Sequence, residues 1–398
     1  FWPENFRIND LATGLADEGH DVDVITGIPN YPVGGFFKGY SIFGPKFEFY
    51  KKIKVYRSLL FPRGSGGKTK LFLNYLSFAF FASIRILLLS KKEYDIIFVH
   101  EPSPITVGIP ALIFKKIKKI PIVFWVMDLW PESIYVGSGL KSKTIDKLIL
   151  PLVKLIYRES DKILVTSRAF ISSIIEKNIN PKKISYFPQY AEAIFYQANI
   201  NSQKYQNLFP DGFNILFAGN IGEAQDFNSI IKAAELSKDK KINWIIIGSG
   251  RNENWVKNQI KEKKLENTIY LLGKYPLEAM PNMYSCADAL LITLKKSKIL
   301  SLTAPGKIQS CLAFGKPILT MMDGEGSRII LESKAGLTAC SGDSKTLIKN
   351  ALKMKGMQMN ELKKMGDNGR KYYEINFERK FLINRLINIF LTAKNIKS

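Results

Sequence analysis

The sequence predicts an α/β protein made of two doubly wound parallel-sheet domains facing each other across a cleft. Three observations carry this. Short apolar runs of strand character alternate with stretches of helical spacing along nearly the whole chain, the pattern of parallel strands joined by crossover helices. The alternation starts afresh just past residue 200, after one full set has gone by. At the restart, residues 213–234 read FNILFAGNIGEAQDFNSIIKAA: an apolar run, a loop with Gly219 and Gly222, then helical spacing. A buried strand entering such a loop and helix aims backbone N–H groups and the helix dipole at one point, which suits a phosphate.

A chain of 398 residues holds about two domains, and its 46% hydrophobic content is ample for two cores. Cys286, Cys311 and Cys340 are odd in number and form no CxxC pair, which argues against a disulfide framework or a zinc site. The default compartment is a reducing cytoplasm. With only His20 and His100, carboxylates must supply most acid–base chemistry. His20, in EGHDV ahead of a strand, reads as structural. A net charge of +23 calls for an acidic partner: nucleic acid, an anionic membrane or sugar-nucleotide phosphates. Nucleic acid fits worst, because the lysines are spread over both halves without zinc-finger spacing, an aromatic RNA-binding signature or a basic helix with heptads. Solvated lysine-rich faces and a membrane surface remain.

In order along the chain, residues 8–15 read as a helix and 22–26 as a strand. A doubly wound domain opens on a strand before this helix, so the first strand is expected to be missing from the sequence. Residues 27–49, rich in Gly, Pro and aromatics, read as a long loop of the functional kind. The stretch 71–90, LFLNYLSFAFFASIRILLLS, is long enough to span a bilayer but contains Asn74 and Arg85. A buried helix, a helix lying in the membrane interface and a true span all stay open. A strand at 94–99, a helix at 105–117, the apolar strand PIVFWVMD ending at Asp128, helical material to residue 158 and a further βα unit follow. The segment ISYFPQYAE closes the first domain, and 199–209 is a polar linker. The second set has strands near 215–218, 244–248, 269–272, 289–293 and 318–321, each followed by helical material. Residues 376–396 are amphipathic and are expected to pack back on the first domain.

Open parallel sheets bind ligands at the carboxyl ends of their strands. His100 and Glu101 follow one such strand, Asp128 through Glu132 another, Gly219 through Asp226 a third, Gly248 through Arg251 a fourth, and Asp323 through Arg328 a fifth. Neighbouring residues on a strand point oppositely, so only one of His100 and Glu101 should face the cleft, and Glu101 is favoured.

Nine segments in this order resemble a known family: ENFRINDLATGLADEGHDV, GIPNYP, HEPSP, WVMDLWPES, YFPQYAE, GNIGEAQDF, IIGSG, APGKIQSCLAFGKPIL and DGEGSRIILESKAGL. Over nearly its whole length the chain resembles the family 4 retaining glycosyltransferases of the GT-B fold, with two Rossmann-like domains, and within them the WbuB-like branch of O-antigen and capsule fucosamine transferases. The resemblance implies a Rossmann-like acceptor-binding domain at 1–198, a nucleotide-sugar-binding domain at 199–375 and a returning helix at 376–398. It implies a UDP-sugar donor, a lipid-linked or saccharide acceptor, no metal or other cofactor, no nucleic acid, and a place on the inner face of the plasma membrane.

Departures from the family pattern redirect the site. Asn220 and Asp226 stand where relatives carry an Arg and a Lys, and Leu302 and Ser310 where relatives carry paired glutamates. Met127 replaces the His that often precedes Asp128. Lys307, at the start of a helix, and Arg251 are therefore expected to take the diphosphate charge. Gly219, Asn220, Gly222, Glu223, Gln225, Gly248, Gln309 and Glu325 complete the donor set, with Glu325 on sugar or ribose hydroxyls. Asp128, Glu101 and His100 form the catalytic set, and Asn5 and Arg7 contact the acceptor. Asp128 as a helix cap and His100 as a structural strand-end residue are the competing readings. The function expected is transfer of an amino or deoxy sugar with retention during O-antigen or capsule synthesis; alternatives are a non-hydrolysing UDP-sugar epimerase and an inactive sugar-nucleotide-binding subunit.

Overall fold

The computed structural model describes residues 1–3, 7–64, 67–135, 143–197 and 200–395. The chain divides into two units, one of Phe1–Thr166, Phe170–Phe187 and Lys380–Ser398, the other of Ser167–Ala169 and Pro188–Arg379.

In the first unit, α1 (Arg7–Asp17) precedes β1 (Asp23–Gly27), β2 (Phe47–Tyr50) and β3 (Ile53–Ser58), which form a sheet in the order β1, β3, β2. The β1–β3 pair is parallel and the β2–β3 hairpin antiparallel. The hairpin takes in the end of the stretch read as loop. Its signal was period-two alternation in IKVYRS: Ile53 and Val55 are fully buried, and Lys54 and Tyr56 turn the other way. The long helix α2 (Lys68–Leu89) follows. Next come β4 (Ile97–Glu101), α3 (Gly108–Lys118), β5 (Ile122–Val126), α4 (Lys143–Glu159), β6 (Lys162–Val165), α5 (Phe170–Ile175) and β7 (Ile184–Tyr186). Strands β4 to β7 form a parallel sheet in sequence order, and β5, buried along its whole length, is its core strand.

The second unit contains one six-stranded parallel sheet. Its strands are β8 (Phe213–Ala218), β9 (Ile242–Ile247), β10 (Ile269–Gly273), β11 (Ala289–Thr293), β12 (Ile318–Met321) and β13 (Gly336–Ala339), in the order β10, β9, β8, β11, β12, β13. The chain leaves β8 in one direction and returns for β11 on the other side, so the switch point falls between β8 and β11, where such sheets take ligands. The crossover helices are α6 (Phe227–Glu235), α7 (Glu253–Glu262), α8 (Met280–Cys286), α9 (Lys307–Phe314) and α10 (Glu325–Ser333), and α11 (Ser344–Lys355) and α12 (Met359–Asn376) follow β13. All six residues of β8 and of β9 are buried, because helices cover both faces. Trp244, Phe217, Phe227 and Leu291 anchor the core, each residue of this size contributing about 1.5–3 kcal/mol through burial.

The change of unit comes earlier than residue 198. Residues from Pro188 belong with the second unit, where Phe195 stacks on Tyr284 at 5.3 Å and Glu192 accepts a hydrogen bond from Ser310. The last helix, α13 (Arg379–Asn395), lies with the first unit: Leu382, Ile383 and Leu386 are buried, Phe390 meets Phe98 edge-on at 5.5 Å, and Lys394 pairs with Asp95.

Candidate functional site

In the second unit the loops after β8 and β9 are laced together by backbone hydrogen bonds. Gly219 N–H donates to Ile247 O (2.8 Å), Ile221 N–H to Ser249 O (2.9 Å) and Asn252 N–H to Ile221 O (3.0 Å). Two positions require glycine. Gly219 and Gly248 have φ of 148° and 143°, and a Cβ on Gly248 would lie 1.8 Å from the Gly219 carbonyl. Asp226, expected where a cation stands in relatives, caps α6 by accepting the Ser229 N–H. Asn220 and Gln225 close around Gly222, and the buried Gln225 Oε1 has no hydrogen-bond partner among the described residues. Glu223 pairs instead with Lys295 on the rim, at 2.7 Å. The Lys295 hydrogen bond holds its carboxyl below the usual range.

Lys307 is the first residue of α9, and its ammonium reaches this loop. Nζ lies 3.9 Å from the centroid of the Phe217 ring, and a Cβ on Gly219 would meet it at 2.9 Å. The residue is half-buried as a whole, but burial around the ammonium lowers its pKa from 10.5 to about 8. A cation held on an aromatic face beside two glycine turns, at the switch point of a parallel sheet, is a site prepared for an anion. Arg251 stands exposed at the turn after Gly250. A pocket of about 200 Å³, lined in part by Ile221, Gly248, Leu271, Leu272 and Gly273 with Glu253 and Lys257 at its side, adjoins these loops, and no motif in the sequence marks it.

Two expected donor contacts are committed elsewhere. The Glu325 carboxylate, almost fully buried, accepts from Arg328 Nε (2.9 Å), Arg328 Nη2 (2.8 Å) and the Arg168 N–H (3.1 Å). Its hydrogen bonds raise the Arg328 guanidinium further above its usual range. Glu325 is therefore a structural anchor for the start of α10, and the i, i+3 spacing to Arg328 was the available clue. Gln309 is buried, and its amide in the orientation that satisfies its neighbours donates to Pro305 O (3.2 Å) and Gly306 O (3.1 Å), bracing the turn that presents Lys307. Gly326 packs on Pro305 and Ile308, which places the Glu325 anchor behind the same turn.

In the first unit, the carboxyl ends of β4 and β5 bring carboxylates together. Glu101 is fully buried, and His100 takes the opposite face, partly buried, with its ring 5.3 Å from Trp125. The two side chains point oppositely, as strand geometry requires, and β4 takes Val99 and Glu101 to its buried face. Desolvation lowers His100 to about 3, so its imidazole is neutral. Glu101 Oε2 accepts the Asp128 N–H at 3.5 Å, while Oε1 has no partner among the described residues, nor does the buried Tyr157 hydroxyl. Burial, then the charge of Asp128, pushes the Glu101 carboxyl well above the usual range. Burial alone raises Asp128 to about 6, so near neutral pH its carboxyl is largely ionised. Glu132 pairs with Lys177 at 2.6 Å. Arg7 opens α1, and Asn5 lies outside the described residues. No group of three or more His, Cys, Asp or Glu side chains arranged to hold a metal occurs among the described residues.

Residues 199–372 match the family model described as glycosyl transferases group 1, and residues 5–189 match that described as glycosyl transferase 4-like domain. WcaI of Escherichia coli K12, a glycosyl transferase assigned to colanic acid biosynthesis, is 25% identical over 325 residues, 77% of this chain and 76% of its own. Among solved structures, sucrose-phosphate synthase from Thermosynechococcus elongatus superimposes with a TM-score of 0.75 at 15% identity, covering 97% of this chain and 92% of its own. Anabaena HepE in complex with UDP-glucose gives a TM-score of 0.65 at 15% identity, with 86% of each chain covered.

Proposed function

This chain belongs to the family 4 glycosyltransferases of the GT-B fold, and from that premise we propose that it transfers a sugar from a UDP-sugar to a growing glycan in the synthesis of a cell-surface polysaccharide. The observation that carries the reading is the Lys307 ammonium seated over Phe217 against the glycine-laced loops after β8 and β9. The UDP-glucose complex of HepE and the colanic acid assignment of WcaI support the donor class and the polysaccharide setting.

In the proposed reaction the second unit holds the UDP-sugar. Loop N–H groups, Lys307 and Arg251 face the diphosphate, and the pocket floored by Leu271 and Leu272 takes the base. As the bond from sugar C1 to the β-phosphate oxygen breaks, its electron pair stays on the diphosphate, and these donors stabilise the charge that develops there. They make a divalent cation unnecessary to the proposal. The acceptor hydroxyl adds to C1 on the face the diphosphate leaves, giving retention, and its proton passes to a departing phosphate oxygen. The first unit binds the acceptor, a saccharide on a polyprenyl diphosphate, with Arg7 on phosphate and ionised Asp128 orienting a hydroxyl. Buried Glu101 accepts the Asp128 N–H and positions its backbone. The donor sugar is an N-acetylated amino or deoxy sugar, and the enzyme works as a peripheral protein on the cytoplasmic face of the membrane.

The test is incubation with a panel of UDP-sugars, with and without polyprenyl-diphosphate-linked acceptor, followed by analysis of UDP release and of the product anomer. UDP released only with acceptor present, and a product keeping the donor configuration, is the expected result. Conversion of a UDP-sugar without acceptor would identify an epimerase instead.

A further inference from the structure

We infer that the outer face of α2, with the loops at its amino end, is a docking surface for an anionic lipid bilayer, and that α2 lies along the interface rather than crossing it. The inference deepens the proposed function and rests on its lipid-linked acceptor.

Helix α2 is apolar on both sides, and by length and composition it could cross a membrane. The two faces have different occupants. One is built into the fold: Asn74, Ser77, Ala79, Ala82, Ile86 and Leu89 are buried where α2 packs on α3, β1 and β3. Its polar groups are bound there. Asn74 Nδ2 donates to Phe61 O (2.6 Å), Ser77 Oγ accepts the Phe61 N–H (2.9 Å), and Arg85 Nη2 donates to Arg57 O (2.9 Å). Crossing a bilayer would break these bonds and strip the sheet of its cover, so α2 stays folded against the first unit.

The opposite face is bare. Phe72, Leu76, Phe80, Ile84, Leu87 and Leu88 recur at helical spacing and are exposed, Phe80 by 62% and Leu88 by 68%. The stripe runs about 24 Å at 1.5 Å per residue. A continuous apolar strip of this length on a soluble unit marks a contact surface. At the amino end of α2 it is extended by Phe61, 59% exposed, and by Tyr31, whose ring faces the Arg63 guanidinium at 5.2 Å. Aromatic rings beside cations are the composition of the headgroup layer.

Charge selects the occupant. From Lys38 to Lys119 the chain carries 16 Lys and Arg against 4 Asp and Glu. Exposed Lys70 lies in the first turn of α2, exposed Lys91 just past its end, and exposed Lys116 and Lys119 at the end of the neighbouring α3. A hydrophobic strip bordered by lysines fits an apolar layer under anionic headgroups, the arrangement of an interfacial helix. A second copy of this chain would set these lysines against one another.

The experiment is co-sedimentation of the full chain with phosphatidylcholine vesicles, with or without phosphatidylglycerol, for the wild type, Phe80→Glu/Leu88→Glu and Lys91→Gln/Lys116→Gln. Both pairs change exposed side chains, and UDP-induced thermal stabilisation, read in parallel, should match the wild type. The expected results are binding to anionic vesicles that weakens with salt, a loss of at least tenfold in the Glu pair, and a loss of about fivefold per lysine removed. Alkaline carbonate should release the protein from vesicles. Wild-type binding by the Glu pair, indifference to anionic lipid, retention through carbonate, or a lipid-free dimer abolished by the Glu pair would each overturn the inference. Vesicle binding without UDP stabilisation would instead refute the donor site and leave the docking surface standing.

Discussion

Replacing Lys307 with Met separates what this side chain does for folding from what it does for the ligand. Holding an ammonium at about 8 against 10.5 costs up to about 3 kcal/mol at neutral pH. Partial solvent access and the attraction of the Phe217 ring return part of that, leaving a net cost of about 1–2 kcal/mol. Methionine fills similar space without charge, so Lys307→Met should raise ligand-free stability by about that amount, or about 2–8 °C in the melting temperature of a unit this size. The sign with pH follows from linkage. The unfolded state binds the extra proton between about 8 and 10.5, so wild-type stability relative to the variant rises across that window and the gap closes at its top. With UDP the order reverses. A charged hydrogen bond to phosphate is worth about 1.5–3 kcal/mol, so the variant should bind UDP about 10–150-fold more weakly. Bound diphosphate keeps the lysine protonated, so wild-type affinity should fall as pH rises above about 8 while the variant's stays flat. Differential scanning fluorimetry and isothermal titration across pH 6.5–9.5 measure both effects. A variant that is less stable without ligand, or that binds UDP as tightly as wild type, would refute the reasoning.

Four other changes give distinct readouts. Gly248→Ala puts a methyl group 1.8 Å from the Gly219 carbonyl at a φ that alanine rarely adopts, so urea unfolding should show a loss above about 2 kcal/mol and UDP binding should disappear. Wild-type transfer activity should fall as pH drops through about 6, where Asp128 takes up its proton, and Asp128→Asn should be slow at every pH, with no acid limb in its rate profile. The same variant removes a carboxylate whose charge is penalised above pH 6, so its stability at pH 7 should rise by about 1–2 kcal/mol in urea titrations. Glu325→Gln leaves Arg328 without its bidentate partner and should cost about 1–3 kcal/mol of stability while changing the KM for donor by less than a factor of three, since both carboxylate oxygens face protein groups.

Much of the second unit was legible because its strands are buried on both faces and read as unbroken apolar runs between glycine loops. Lys307 at a helix start and the glycine loop after β8 were legible for the same reason: Gly and Pro mark where backbone must turn. Less of the first unit could be read. Ile53–Ser58 lies past the 27–49 loop in a lysine-rich stretch, where Lys54 and Arg57 interrupt the apolar run that would mark a buried strand. β13 leaves little trace in the sequence because GLTA is four residues long and only Ala339 of it is buried. The orientation of His100 and Glu101 depends on which face of β4 the helices cover, and one strand's sequence does not contain that. Glu325 and Gln309 looked like ligand contacts because they are polar residues at helix starts. Only packing reveals that Arg328 and the Pro305–Gly306 carbonyls already hold them.

Hydrogen exchange of the full chain with and without saturating UDP tests most directly that the laced glycine loops and Lys307 form the nucleotide site. The account predicts slowed exchange at the amides of 219–222, 248–252, 271–273 and 307–309, and little change elsewhere in the second unit. Saturable UDP binding that leaves these segments unchanged and protects another part of the chain would contradict it.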